Sequence, residues 1–590
     1  MSQVTTPDDR QGADIEPPAW QAQVGTQPAT GETTMQGFLV PRPRDPWLAL
    51  AVLVALGGVS GIAYYLGFVR PYLLSDYYAR PLMDLAKING YTGPAANSWA
   101  FTWIVLFACY YAAFRVCPPA EGVTRLFRRF ALILICGWAV FFSINLLFMY
   151  PVGAADLFDQ IFRARLTAQY GYNPFTTLPS SLAGDPFQPY VAWRGDPSPY
   201  GPVWESLAAA VSFLAGSNLW ANLIEFKLLV MLAYGVSVGL TYGILRTVKP
   251  EWALRGTLLF AWNPLVLFEV AGNGHNDAVV VMFMLAAVFF LVRARRVAVL
   301  PMLVAGALTK FVPVLLVPIA VGALWRDRLR GGSGIRDQGS GVGDQGLEVG
   351  GEEQPARPEP RSLVPDPLFT LAVSAVLSVG LAMIFYAPFW TGPESIMPRN
   401  RGTLFTASIP KVILDTLVRD FGWSEGIAQW YVRNVAYGIV ALVALGLAVW
   451  VWRTPNATTP EGRGILLRRT LIAFYEIIFA YLLVASLWFQ PWYLLWLVAL
   501  TAPVARMAYV HRTLLFCIGG VLNYFVWDFL WLWNRTDFRT IQITSAITVY
   551  TLPVLYTLYV WTVGRRTEDI GRSTTDEQGV KLRITNYELP

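Results

Sequence analysis

The chain has 590 residues, of which 55% are hydrophobic and only 14% charged, with a formal net charge of +6. Soluble domains carry about a quarter charged residues, so this composition excludes an ordinary soluble fold and describes an integral membrane protein. The 23 Trp, 27 Tyr and 34 Phe fit belts at lipid–water boundaries, and no basic–aromatic array points to nucleic acid.

Residues 1–46 are polar and Pro-rich, with no apolar run behind a basic start, so they read as a disordered cytoplasmic tail and not a cleavable signal. A bilayer core takes about 20 apolar residues per helix. Runs of that kind cover 47–69, 98–116, 130–150, 222–245, 256–271, 277–292, 366–389, 432–452, 471–488, 492–508, 513–533 and 544–564. Residues 202–217 are short, begin at Pro202, and fit an interfacial position better than a crossing. Residues 298–325 are interrupted at Thr309-Lys310 and carry Pro301, Pro313 and Pro318. The expected fold is an all-α polytopic bundle of about 13–14 transmembrane helices, with the site on extracytoplasmic loops.

Basic clusters set the orientation, because Lys and Arg collect on the cytoplasmic side. They occur at Arg125/Arg128/Arg129, Arg246/Lys249/Arg255, Arg293/Arg295/Arg296, Arg326/Arg328/Arg330, Arg463/Arg468/Arg469, Arg506/Arg512 and Arg565/Arg566. Placing these inside puts 70–97, 151–200, 272–276, 390–431, 489–491 and 534–543 outside, and makes both termini of this multi-pass plasma-membrane protein cytoplasmic. Segment 298–325 is then basic on both flanks, so it enters and returns with Lys310 toward the outer side. The expected organisation is a tail (1–46), an N-terminal catalytic membrane module (47–325), a Gly- and charge-rich cytoplasmic linker (326–365), a C-terminal membrane module (366–564) and a cytoplasmic tail (565–590). Cys109, Cys117, Cys136 and Cys517 lie in or beside apolar runs without zinc or disulfide spacing, and read as packing residues.

Four polar constellations interrupt the apolar pattern. The first is the outer loop from Ala154 to Trp204, which holds AADLFDQIFRARLTAQYGYNPF and closes on SPYGPVW with Tyr200. Asp156 and Asp159 are three apart and share a helical face, while Asp159 also stands four before Arg163, the spacing of an ordinary ion pair. Asp156 sits about a turn beyond a membrane helix, where a general base faces substrate at the interface. The second is WNPLVLFEVAGNGHNDAVV, in which His275 is bracketed by Asn273, Asn276 and Asp277, either as a polar hairpin bend or as a site. Glu269 lies deeper and needs a partner there. The third is Lys310 in ALTKFVP, a snorkelling lysine or a phosphate ligand, with Arg399 and Arg401 of the outer loop PRNRG as further phosphate candidates. The fourth is FQPWYLLWL, whose Trp492 and Tyr493 form either part of an aromatic belt or a wall for a sugar or an isoprenoid. No nucleotide-binding loop, zinc-protease motif or Ser–His–Asp pattern accompanies them, so an activated lipid is the natural co-substrate for an outer site.

Taken in order, D-L-F-D…G-Y-N-P-F, SPYGPVW, NP…NGHND, LTKFVP and QPWYLLW resemble the GT-C integral-membrane glycosyltransferases, in particular the bacterial polyprenol-phosphate-mannose-dependent mannosyltransferases. The resemblance runs over roughly residues 130–530. It implies a polyprenyl-phosphate sugar donor, a glycan or glycolipid acceptor, inversion at the anomeric carbon, and Asp156 as the base. It further implies that Asp159, Arg163, Tyr200, His275, Asn276, Asp277, Lys310, Arg399, Arg401, Trp492 and Tyr493 line the substrates. No cofactor is expected, and no ligand cluster compels a divalent metal. The chain departs from the family in following Phe158 with Asp159-Gln160, and in placing three spans before the loop. The competing reading is a transporter or flippase for a lipid-linked sugar, suggested by the broken 298–325 segment.

Overall fold

The computed structural model describes residues 45–90, 92–153, 155–326, 367–395, 404–457, 459–534 and 537–578. Helix α1 (Pro46–Tyr64) starts where the Asp45 carboxylate accepts the Trp47 N–H at 2.9 Å and Pro46 takes a first-turn position that needs no donor. A π-helical stretch extends it to Val69. Two short helices, α2 (Leu74–Tyr77) and α3 (Leu85–Asn89), lead to α4 (Gly93–Val116) and α5 (Arg125–Leu147). Next come α6 (Asp156–Tyr170), α7 (Pro202–Ala215), α8 (Leu219–Val248), α9 (Ala253–Ala261), α10 (Pro264–Leu267), α11 (Asp277–Val292), α12 (Val299–Ala307) and α13 (Val317–Arg326). Beyond residue 366 follow α14 (Pro367–Tyr386), α15 (Ile409–Arg419), α16 (Glu425–Trp452), α17 (Pro460–Ala480), α18 (Leu494–Val504), α19 (Met507–Phe525), α20 (Trp531–Asn534) and α21 (Phe538–Gln578).

The described residues contain no strands, only isolated bridges between Leu73 and Met149 and between Thr406 and Trp488. Among them, eight helices are long and apolar enough to cross a membrane: α1, α4, α5, α8, α14, α16, α19 and α21, some with their extensions. Five shorter apolar helices lie between them. The chain is thus an all-α polytopic membrane protein. Helices α14, α16 and α21 keep most of their apolar side chains on the outside, as lipid-facing helices do.

Several expected spans are broken. The run 256–271 divides into α9, α10 and a π-helical stretch, because Asn263 ends one helix and its side chain caps the next by accepting the N–H groups of Leu265 and Val266. The run 492–508 gives only the 11-residue α18, which ends at Ala505 in the left-handed conformation. Helix α7 has 14 residues, about 21 Å, which is short for a bilayer core. Segment 298–325 breaks where expected, leaving α12 and α13 packed on each other with Lys310 between them.

The larger of two apolar clusters among the described residues runs from Leu50 to Tyr550. Helix α11 packs against α8, α12 and α18, and α19 packs against α4 and α21, so helices from both sides of 327–366 interleave. This arrangement brings four starting points together: the first turn of α6, the first turn of α11, the break between α12 and α13, and the turn leading into α18.

Candidate active site

Asp156 opens α6, where the helix N-terminus favours a carboxylate, and it is half-buried. The Tyr200 hydroxyl donates toward Asp156 Oδ2 at 3.4 Å, and Gln160 Nε2 donates to the same hydroxyl at 3.3 Å. The tyrosine of SPYGPVW thereby reaches the aspartate of DLFD.

Asp159 and Arg163 form the i,i+4 pair that their spacing suggests, at 3.0 Å, with side chains only 3% and 2% exposed. Asp159 also accepts the N–H groups of Trp193 (3.0 Å) and Ala192 (3.2 Å), while Arg163 donates to the carbonyls of Trp193 and Asp196. Both side chains hold the far end of the loop onto α6. Burial pushes the Asp159 carboxyl above the usual range, and Arg163 with the two backbone donors only partly draws it back. A second clamp, unseen in the sequence, joins Arg165 and Tyr170 to Asp185, each at 2.7 Å from Oδ2. Burial alone would raise the Asp185 carboxyl, but bonds from Arg165, Tyr170 and the Phe187 N–H outweigh it and hold the group below its ordinary range.

The next residue after Tyr200 ties this loop to the broken helix. Gly201 N–H donates to the Thr309 carbonyl at 3.0 Å, and Val203 N–H to that of Leu308 at 2.9 Å. A Cβ at Gly201 would run into the Leu308 carbonyl, so close backbone approach requires glycine here. Lys310 follows at once. Its Nζ donates to both carboxylate oxygens of Asp277 at 2.9 Å, and the Trp496 indole donates to Asp277 Oδ1 at 2.8 Å. The ammonium lies 4.8 Å from the Tyr493 ring centre and 5.5 Å from that of Trp496, two rings stacked on each other. Lys310 keeps 18% side-chain exposure, whereas Asp277 has none. Lys310 is therefore a paired cation held in an aromatic corner.

His275 stacks on Trp492 with ring centres 4.0 Å apart, and its Nδ1 lies 3.4 Å from Glu269 Oε2. Neither imidazole nitrogen makes a hydrogen bond, nor does Asn276 Nδ2, although both residues are buried. Buried polar atoms left over in this way mark a place where a further partner fits. Arg399 and Arg401 lie outside the described residues. Among the described residues no three His, Cys, Asp or Glu side chains converge to hold a metal ion.

Three supporting residues escape a reading of the sequence. Lys227, fully buried in α8, donates to the carbonyls of Leu147 and Met149 at the end of α5 and so shapes the turn before Asp156. Its signal was present, since a lone lysine inside an apolar span is expensive without a task. Glu205 accepts from the Ser198 hydroxyl and braces SPYGPVW. Tyr524 reaches Glu269 across 255 residues of sequence, and no local pattern points to that contact.

Fold and site together define a polytopic membrane protein whose inter-helix loops bring a half-buried carboxylate and a paired lysine to a common segment. Residues 50–326 match the family described as alpha-(1->6)-mannopyranosyltransferase, N-terminal domain, a stretch that holds Asp156, Tyr200, His275, Asp277 and Lys310. The chain is 26% identical over 160 residues to a probable alpha-(1->6)-mannopyranosyltransferase of Mycolicibacterium smegmatis, covering 26% of this chain and 27% of that protein. It is 26% identical over 143 residues to alpha-(1->6)-mannopyranosyltransferase B of Corynebacterium glutamicum, covering 23% of each. An alpha-(1->6)-mannopyranosyltransferase of Mycobacterium tuberculosis is likewise 26% identical over 160 residues, 26% of each chain. The alignments span about a quarter of each relative's length. The resemblance to membrane mannosyltransferases carried by the motifs is thus met over its first part, to residue 326, while the QPWYLLW motif lies beyond the matched stretch.

Proposed function

We propose that this protein is a membrane mannosyltransferase of the plasma membrane, with both termini cytoplasmic and its site on the extracytoplasmic side. It moves a hexose from a polyprenyl-phosphate donor to a hydroxyl of a lipid-linked or glycan acceptor. The names of its relatives support mannose and an α-(1→6) linkage.

Asp156 takes the proton of the acceptor hydroxyl as that oxygen attacks the anomeric carbon. The new glycosidic bond forms while the bond from that carbon to the phosphate oxygen breaks, and the centre inverts. The electron pair leaves on polyprenyl phosphate, whose charge Lys310 steadies. A phosphate departs without full protonation, so one carboxylate is enough where glycoside hydrolases need two. Tyr200 orients Asp156, Asp277 and Trp496 hold Lys310, and His275, Asn276, Trp492 and Tyr493 surround the sugar.

The observation that carries this reading is the Tyr200-Gly201 dipeptide. Tyr200 contacts the carboxylate and Gly201 is bonded to the residue before Lys310, so base and cation hang from adjacent residues of one strap. The same stitching argues for a fixed reaction site over a moving transport gate.

The test incubates membranes containing the full chain with labelled polyprenyl-phosphate mannose, and in parallel with the glucose and arabinose donors. A new glycosidic bond to mannose is expected. Movement of lipid-linked sugar across vesicles without a new bond would establish the flippase instead.

A further inference from the structure

Glu269 is completely buried in the π-helical stretch Phe268–Gly272, just before the NGHND bend. A carboxylate sealed inside a helical bundle persists only where its oxygens are used. Here each oxygen accepts one hydrogen bond, and His275 Nδ1 also lies 3.4 Å from Oε2. Oε1 accepts the Tyr524 hydroxyl at 2.8 Å, and Oε2 accepts Asn273 Nδ2 at 2.8 Å. With its amide nitrogen turned to Glu269, Asn273 must direct its oxygen the other way, and that oxygen accepts the Gly153 N–H at 3.1 Å. Gly153 lies three residues before Asp156. A Cβ at Gly153 would come within 2.5 Å of Asn273 Nδ2 and 2.8 Å of the Tyr524 hydroxyl, so the backbone rests directly on this pair.

We infer that Glu269 is a positioning residue for Asp156. It orients the Asn273 amide, and through it fixes the turn from which α6 begins. Tyr524 holds the other carboxylate oxygen and couples α19, in the C-terminal part of the chain, to that turn. This role rests on reading Asp156 as the base, whereas the anchoring itself does not.

Substitutions along this chain of contacts differ in what they leave in place. Glu269→Ala frees the Asn273 amide to turn over and release Gly153. Glu269→Gln keeps an oxygen for Asn273 and presents its own amide to the Tyr524 hydroxyl, which can accept as well as donate. Tyr524→Phe removes one bond and leaves the Asn273 contact in place.

The test measures hydrogen exchange over residues 148–158 in the purified full-length protein, together with kcat and KM for mannosyl transfer. Glu269→Ala and Asn273→Ala are expected to speed exchange there about tenfold. They should also lower kcat by roughly 100-fold, with KM for the donor within about twofold. Glu269→Gln should restore both readouts to within about threefold of the native protein, because the geometry survives.

Unchanged exchange at 148–158 in both alanine variants would overturn the inference. So would loosening spread equally over α8 and α11, or a rise in KM with kcat intact. If the native protein transfers no sugar, the proposed reaction has failed, and the exchange measurement still decides the anchoring.

Discussion

Lys310 and Asp277 meet through both carboxylate oxygens at 2.9 Å, and the Trp496 indole closes the remaining side of the carboxylate at 2.8 Å. The lysine sits at the break of one helix and the aspartate at the first turn of another, so the pair pins two element ends together. In the proposed reaction the leaving phosphate would meet an ammonium whose place is already set, which is the form of electrostatic help that costs no reorganisation during reaction. Asp277→Asn should weaken this corner by roughly 2–4 kcal/mol, less than for a fully sealed pair because Lys310 keeps 18% exposure. The check is thermal stability in detergent alongside donor KM, which should rise as Lys310 loses its hold. Lys310→Met should abolish transfer, because no cation is left to meet the departing phosphate.

Gly201 gives a second prediction. Its missing Cβ lets SPYGPVW lie against the Leu308 carbonyl, and the obstructing atom is backbone, which cannot turn aside. Gly201→Ala should destabilise the protein by about 1–3 kcal/mol and separate the Asp156 side of the site from the Lys310 side. The same substitution at Gly195, where a Cβ meets nothing within 4 Å, should leave stability and transfer near native and serves as the control.

The two loop carboxylates should respond to pH in opposite directions. Asp185 is held below its ordinary range, so its contribution is fully present above the unfolded value of about 3.8 and is lost as pH falls through the native value. Asp159 is raised, so the folded state holds its proton more tightly, and stability from this group declines as pH rises from the unfolded value through the native one. Thermal midpoints of native protein and Asp185→Asn, measured from pH 7 down to 3, should draw closer as pH falls below 3.8. A gap that persists unchanged below pH 3.8 would contradict this assignment.

Local spacing carried part of the site. Asp159 and Arg163 are four apart and pair, the lone lysine between two prolines does mark a helix break, and the polar NGHND run does lie between apolar helices. Contacts between distant segments were invisible, because a single sequence contains no register for them. Arg165 meets Asp185 across a loop, Glu269 meets Tyr524 across 255 residues, and Gly201 meets Thr309 through backbone atoms that carry no residue code at all. The division of 256–271 into separate helices was legible in principle. Asn263-Pro264 is a helix-start signal, but the apolar count outweighed it.

In the proposed reaction Asp156 removes the acceptor proton during glycosyl transfer. The most direct measurement compares native protein with Asp156→Asn at matched expression in membranes given labelled polyprenyl-phosphate mannose. Asn keeps the size of the side chain and a hydrogen-bond acceptor for Tyr200, yet it takes no proton at neutral pH. Loss of transfer by a factor of about 10²–10⁴, with unchanged membrane insertion and melting, is the predicted result. Transfer at the native rate in Asp156→Asn would rule out Asp156 as the base and move that role elsewhere.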